Sequence, residues 1–141
     1  MIPPGVKIHG NVILGENVSI CEPAELNGTG SSITIGDGCD IAAFTVLNVA
    51  DSSDRCIGRS TEIKRAPIVL GGRVFVGSHC LIGGGATIRD RCKVAAHTAM
   101  TEPVEIPCDS LVTDREPRWH IGSLSRWHRF GRLWVKVGCY A

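Results

Sequence analysis

Few residues in this chain are suited to chemistry, and they fall in two places. Of the five histidines among 141 residues, His79 in "VGSHC" and His97 in "VAAHT" stand 18 positions apart. An imidazole titrates in the physiological range and suits a general base that takes a proton from a hydroxyl. Two imidazoles about 5 Å apart can also begin a metal site, which then needs a third ligand. The second concentration of polar groups is "ADSSDRCIGRS", residues 50–60, where Asp51, Ser52, Ser53, Asp54 and Arg55 run in succession. Asp54 becomes a candidate base if it is withdrawn from water. His9, His120 and His128 lack a comparable context.

What positions these groups is an internal repeat. Stepping by six from Leu70 meets Val76, Ile82, Ile88, Val94, Met100, Ile106 and Val112, all aliphatic or Met. The fifth place of each hexad is small or β-branched: Val74, Cys80, Ala86, Cys92, Thr98, Val104 and Ser110. The first part keeps the same beat through Ile2, Ile8, Leu14, Ile20 and Leu26, with Val6, Val12, Val18, Ala24 and Gly30 in the small place. Three extra residues in "NGTGSSIT" then delay the next beat to Ile35, followed by Ile41 and Leu47. Neither a 3.6-residue helix nor a plain strand alternation has a period of six. One short strand plus one corner does, and three such units close a triangular coil of about 18 residues that stacks on its neighbours about 4.8 Å away. The sequence therefore predicts an all-β, single-stranded parallel β-helix of about five coils. Gly15, Gly36, Gly71, Gly77 and Gly83, at the second place, are expected to allow tight turns. His79 and His97 share the fourth place of their hexads, which stacks them in adjacent coils.

The segments "LGENVSI", "IGDGCDI", "VFVGSHCLIGGGATI" and "VAAHTAM" resemble the hexapeptide-repeat acyltransferases. The resemblance implies a left-handed coil over residues 2–113. Within that family, "APIVLGGRVFVGSHCLIGGGATI" followed by "VAAHTAMTEPVEIP" is most similar to the galactoside, maltose and polysaccharide O-acetyltransferases. The likeness implies acetyl-CoA as acyl donor, a sugar or glycan-precursor hydroxyl as acceptor, and a homotrimer with its sites between subunits. It also implies that the protruding loop, residues 53–69, reaches toward a neighbouring subunit. Ser78 and Ala96 match positions that meet the CoA arm, Thr101 in "MTEP" matches the Thr of the family's "V-T-K", and Arg118 occupies about the place of a basic residue of the family, where its guanidinium can make charge-assisted bonds to the CoA phosphates. Two departures stand out: Glu102 replaces the Lys of "T-K", and "VTDREPR" lacks the Gly of "V-x-G-N-P-A".

In the resembling enzymes the general base is a His of the loop. Here that place reads Asp51-Ser52-Ser53-Asp54-Arg55-Cys56, and no His occurs between His9 and His79. Three readings follow: Asp54 is the base; His79 is the base, oriented by a loop carboxylate across the subunit boundary; or the chain is a non-catalytic trimer for assembly or ligand binding. A further alternative resembles the γ-carbonic anhydrases, which use three His at a trimer interface. Their second His, five residues after the first, is missing, because position 84 is Gly.

Composition bounds the rest. The formal net charge is +1, which gives no bias toward nucleic acid. Residues 1–113 carry 9 Lys/Arg against 12 Asp/Glu, whereas residues 114–141 carry 6 against 2 and all three Trp. The tail, 114–141, reads as a cap on the last coil, with a short helix begun by Ser123 or Ser125 and ending by Gly131, then a strand in "RLWVKV". Peripheral contact with an anionic membrane is the alternative for this basic, Trp-rich segment. Seven cysteines without a Cys-x-x-Cys pair suggest neither zinc nor dithiol redox work, and Cys80 and Cys92 read as small buried hydrophobes. The N-terminus has no signal-peptide pattern, and a reduced, cytoplasmic setting is expected.

Overall fold

The computed structural model describes residues 2–115 and 127–137. Five coils stack in parallel register. The first holds β1 (Val6–Leu14) and β2 (Ser19–Ile20), and the second β3 (Ala24–Ile35) and β4 (Asp40–Ile41). The third opens with β5 (Val46–Asn48), detours through β6 (Ala50–Asp51), α1 (Ser53–Cys56) and β7 (Lys64–Arg65), and resumes with β8 (Ile68–Leu70) and β9 (Phe75–Val76). The fourth is β10 (Leu81–Gly83), β11 (Ala86–Ile88) and β12 (Lys93–Val94), and the fifth β13 (Ala99–Met100), β14 (Val104–Ile106) and β15 (Ser110–Thr113). A hairpin, β16 (Trp127–Phe130) and β17 (Leu133–Val137), follows.

These strands form a three-sided prism. One face stacks β1 and β3, by their first halves, with β5, β10 and β13, through pairs such as Leu26↔Leu47, Leu47↔Ile82 and Ile82↔Met100. The second stacks the later halves of β1 and β3 with β8, β11 and β14. The third stacks β2, β4, β9, β12 and β15. The interior columns are the six-step aliphatics: Leu26, Leu47, Ile82 and Met100 on one face, Ile35, Leu70, Ile88 and Ile106 on the second, all buried.

Two expectations change for physical reasons. Ile2 and Ile8 keep the beat but are 37% and 38% exposed, because the first coil has a neighbouring coil on one side only. In the second coil the small place belongs to Ile33, not Gly30: Val12 pairs with Ile33, and the extra residues bulge outward, leaving Gly30 exposed at φ +80.

The second-place glycines also act differently from expectation. Their φ values are not in the left-handed region; they are needed because the coils approach closely. A Cβ at Gly36 would stand 2.5 Å from the Gly71 carbonyl oxygen, and one at Gly77 would stand 2.7 Å from the Ala96 nitrogen. The left-handed corner residues are those at the fourth place, among them Arg73, His79, Arg91, His97 and Asp109, at φ 56 to 60. The same conformation at equivalent corners keeps side chains of successive coils parallel.

The end hairpin pairs antiparallel to β15, with Val112 opposite Val135, and buries Leu133 and Val135 in the core. Trp127–Phe130 is a strand of that hairpin, not the end of a helix, because its backbone pairs with β17 from Trp127↔Lys136 to Phe130↔Leu133. Ser123 and Ser125 lie outside the described residues. Among the described residues no helix is long and apolar enough to cross a membrane.

Ile82 sits in the middle of its column with neighbours above and below. Ile82→Ala should therefore cost about 2–5 kcal/mol in urea denaturation, whereas Leu81→Ala, on the outward side of the same strand, should cost far less.

Candidate active site

The detour and the histidines leave the prism at different corners. Between β5 and β8 the chain turns outward as a two-stranded stem, with Ala50 opposite Arg65 and Asp51 opposite Lys64, and α1 at its tip. Asp51 organises the tip: its Oδ1 accepts the Ser53 N–H at 2.9 Å. Hydrogen bonds from Ser53, side chain first and backbone second, hold the Asp51 carboxyl below the usual carboxylate range. Asp54 forms an ion pair with Lys64 at 2.7 Å, and its own backbone carbonyl accepts the Arg59 N–H at 2.8 Å. The bond to Asp54 raises the pKa of the Lys64 ammonium. As a base, Asp54 would have to act while holding this cation.

A groove of about 620 Å³ runs along the stem's base, where Asn48, Asp51, Lys64, Arg65, Leu81 and Thr101 line it. A smaller cavity of about 290 Å³ continues from Thr101 along β14 to the end hairpin at Phe130–Leu133. Thr101 thus borders both, with Glu102 and Pro103 beside it. Lys64, Arg65 and Asn48 were not singled out from the sequence; the signal available was their position just inside the two ends of the broken repeat.

His79 and His97 lie on the corner between the third and first faces, with Ser78 and Ala96 beside them. Their imidazoles stack at 5.0 Å between centroids and 13° between planes, and Phe44 covers the other face of His79 at 4.8 Å and 14°. Ser78 and Ala96 are equivalent positions of adjacent coils, and the Ser78 carbonyl accepts the His97 N–H at 2.9 Å. Stacked rings place their in-plane lone pairs side by side, so the two imidazoles do not converge on one ion. Among the described residues no group of three or more His, Cys, Asp or Glu is placed to hold a metal ion. Next to His79, burial pushes the Cys80 thiol up, and its Sγ donates to the Ala95 carbonyl at 3.1 Å. That thiol is a packed neutral group rather than a nucleophile.

Within one chain, then, the structure gathers Ser78, His79, Ala96 and His97 at one corner and leaves Asp54 and Thr101 at another, across the face carrying Val46, Leu81 and Ala99. Arg118 lies outside the described residues.

The five coils, the hexad register and the outward arm define a hexapeptide-repeat protein of the left-handed parallel β-helix class, and the chain resembles the acyltransferases of that class. No protein-family model matches it. The chain is 27% identical over 99 residues to galactoside O-acetyltransferase of Escherichia coli (strain K12), which covers 63% of this chain and 49% of that protein. It is 30% identical over 108 residues to the bifunctional protein GlmU of Staphylococcus haemolyticus, covering 67% of this chain and 23% of that protein. Among solved structures it is similar to a hexapeptide-repeat acetyltransferase of Vibrio cholerae complexed with acetyl coenzyme A, with a TM-score of 0.67 and 29% identity over 80% of this chain and 61% of that one. The chain thus spans about half the length of the galactoside enzyme and less than a quarter of GlmU.

The lowered Asp51 pKa predicts how the arm responds to acid. A depressed folded-state pKa means its contribution is complete above the ordinary Asp value of about 3.9 and is lost as pH falls through the lower folded value. The hydrogen-exchange protection of the Ser53 amide should therefore fall in that acid range, and Asp51→Ala should show the low protection already at neutral pH.

Proposed function

We propose that this protein is an acetyl-CoA-dependent O-acetyltransferase acting on a hydroxyl of a sugar or glycan precursor, working in the cytoplasm as a homotrimer with its sites between subunits. The observation that carries this reading is the similarity of four-fifths of the chain to an acetyltransferase solved with acetyl coenzyme A. The placement of the groups supports a shared site. In one chain the arm and the imidazoles leave different corners, so an arm can meet His79 only on a neighbouring subunit.

In this reading His79 takes the proton of the acceptor hydroxyl as its oxygen attacks the thioester carbonyl. The tetrahedral intermediate then collapses, the C–S bond breaks and the proton passes to the departing CoA thiolate. Ser78 and Ala96 flank His79 along the same corner and would border the pantetheine arm. Thr101, at the corner of the arm and between the two cavities, would meet the same ligand from the neighbouring subunit, and Arg118 would hold its phosphates. Asp54 is the second candidate base, and its bond to Lys64 is the reason His79 is preferred. Residues 1–113 would be the catalytic solenoid with the arm at 53–69, and 114–141 its cap, which the pairing of β17 on β15 supports.

A non-catalytic trimer for assembly or ligand binding is the second reading. One observation favours it: the arm carries no His, and its one half-buried carboxylate, Asp54, is already paired.

Acetyl-CoA at millimolar concentration should raise the melting temperature, and CoA release against a panel of sugars should fall by about 10²–10⁴-fold in His79→Ala. Asp54→Ala should retain most of the rate. No thermal shift with acetyl-CoA would overturn the donor assignment, and an Asp54→Ala loss with His79→Ala intact would move the base to the arm.

A further inference from the structure

The three rings at the His79 corner form one device. Phe44, His79 and His97 occupy equivalent places in three successive coils and share a left-handed backbone, at φ 62, 57 and 60. Backbone bonds tie each corner to the next: the His79 N–H donates to the Ala43 carbonyl at 3.2 Å, and the His97 N–H donates to the Ser78 carbonyl at 2.9 Å. Coil spacing therefore sets ring spacing, and the centroids fall 4.8 and 5.0 Å apart, within the range for stacked aromatic pairs. His79 is the middle ring, covered on both faces. Rotation of its imidazole about the Cβ–Cγ bond would drive its edges into the neighbouring rings.

A histidine base is ordinarily aligned by a hydrogen bond from its second nitrogen to a carboxylate or carbonyl. Among the described residues no side-chain hydrogen bond is made by His79 or His97. Within one chain the contacts that fix the His79 ring are the two stacked neighbours, Phe44 and His97. At the fourth place the next coil carries Arg115, and the neighbouring Asp114 accepts the Ala99 N–H at 3.0 Å through Oδ2.

We infer that Phe44 and His97 are positioning residues for His79, supplying by ring stacking the alignment that a hydrogen-bonded carboxylate supplies to other histidine bases. This inference rests on the reading of His79 as the base. What position 97 requires is a flat ring, not an imidazole nitrogen. A corner that kept His79 but lost either flanking ring would let the base wander from its attack position, and misplacement of that kind lowers the chemical step without weakening donor binding.

The test compares the wild type with His97→Ala, His97→Phe and Phe44→Ala as intact oligomers. It measures steady-state acetyl transfer and the ring-proton NMR resonances of His79. His97→Ala and Phe44→Ala should each lower kcat by about tenfold with the KM for acetyl-CoA unchanged. Both should shift the His79 ring resonances downfield as a neighbouring ring current is lost. His97→Phe should recover most of the kcat and keep the upfield shift. If His79→Ala abolishes turnover but His97→Ala and Phe44→Ala leave kcat intact, the positioning role is overturned while the base stands. A His97→Phe variant as slow as His97→Ala would overturn the requirement for a ring alone. A wild type with no turnover would overturn the reading of His79 as a base, and unchanged His79 resonances in His97→Ala would overturn the stacking device independently of activity.

Discussion

Everything in this molecule depends on in-register parallel pairing between one coil and the next. Each strand is only two or three residues long in most places, too short to be stable alone, and it exists because identical positions lie above and below it. The pairing has two demands. The interior place must accept an aliphatic stacked on another aliphatic, and the corner must reverse direction without pushing neighbouring coils apart. Leu47, Ile82 and Met100 meet the first demand. The second is divided between two kinds of residue: a left-handed residue at the fourth place makes the turn, and a glycine without Cβ at Gly36 or Gly77 lets the adjacent backbone come close.

That same constraint makes the corners useful. Side chains at the fourth place are displayed outward, in columns, at the spacing of the coils. Arg91 sits above Asp109 in this way and pairs with it at 2.7 Å, and the Arg91 guanidinium holds the Asp109 carboxyl below its ordinary range. At another corner the column is aromatic. A rigid solenoid thus sets the separation of two imidazoles without any dedicated loop, and the long arm between β5 and β8 is left to do something else: to reach away from the prism and build the wall of a groove at its own base.

Much of this was legible in the sequence. The six-residue beat named the interior columns, and the 18-residue spacing placed His79 against His97. Phe44 escaped notice because the arm inserts into its coil. The partners there are 35 residues apart, as the Val74 N–H to Cys39 Sγ contact also is, instead of the 18 that separate Gly72 and Asp90. The beat read across that insertion cannot reveal which residue stacks on His79 until the register is known from pairs such as Leu47↔Ile82. Gly30 was misplaced for a similar reason, since the delayed beat shows that three residues are extra but not where in the coil they sit, which the pairing Val12↔Ile33 decides.

By itself, the sequence determined the class of fold, because a period of six is a property of residue order and only a coil of short strands satisfies it. It also determined the absence of a histidine from the arm. The tertiary structure decided which groups meet. It gave Asp54 to Lys64, put Phe44 over His79, turned Trp127–Phe130 into an edge strand, and set the arm and the imidazoles on different corners. Those are outcomes of side-chain direction and of closure across coils, which no periodicity along the chain encodes.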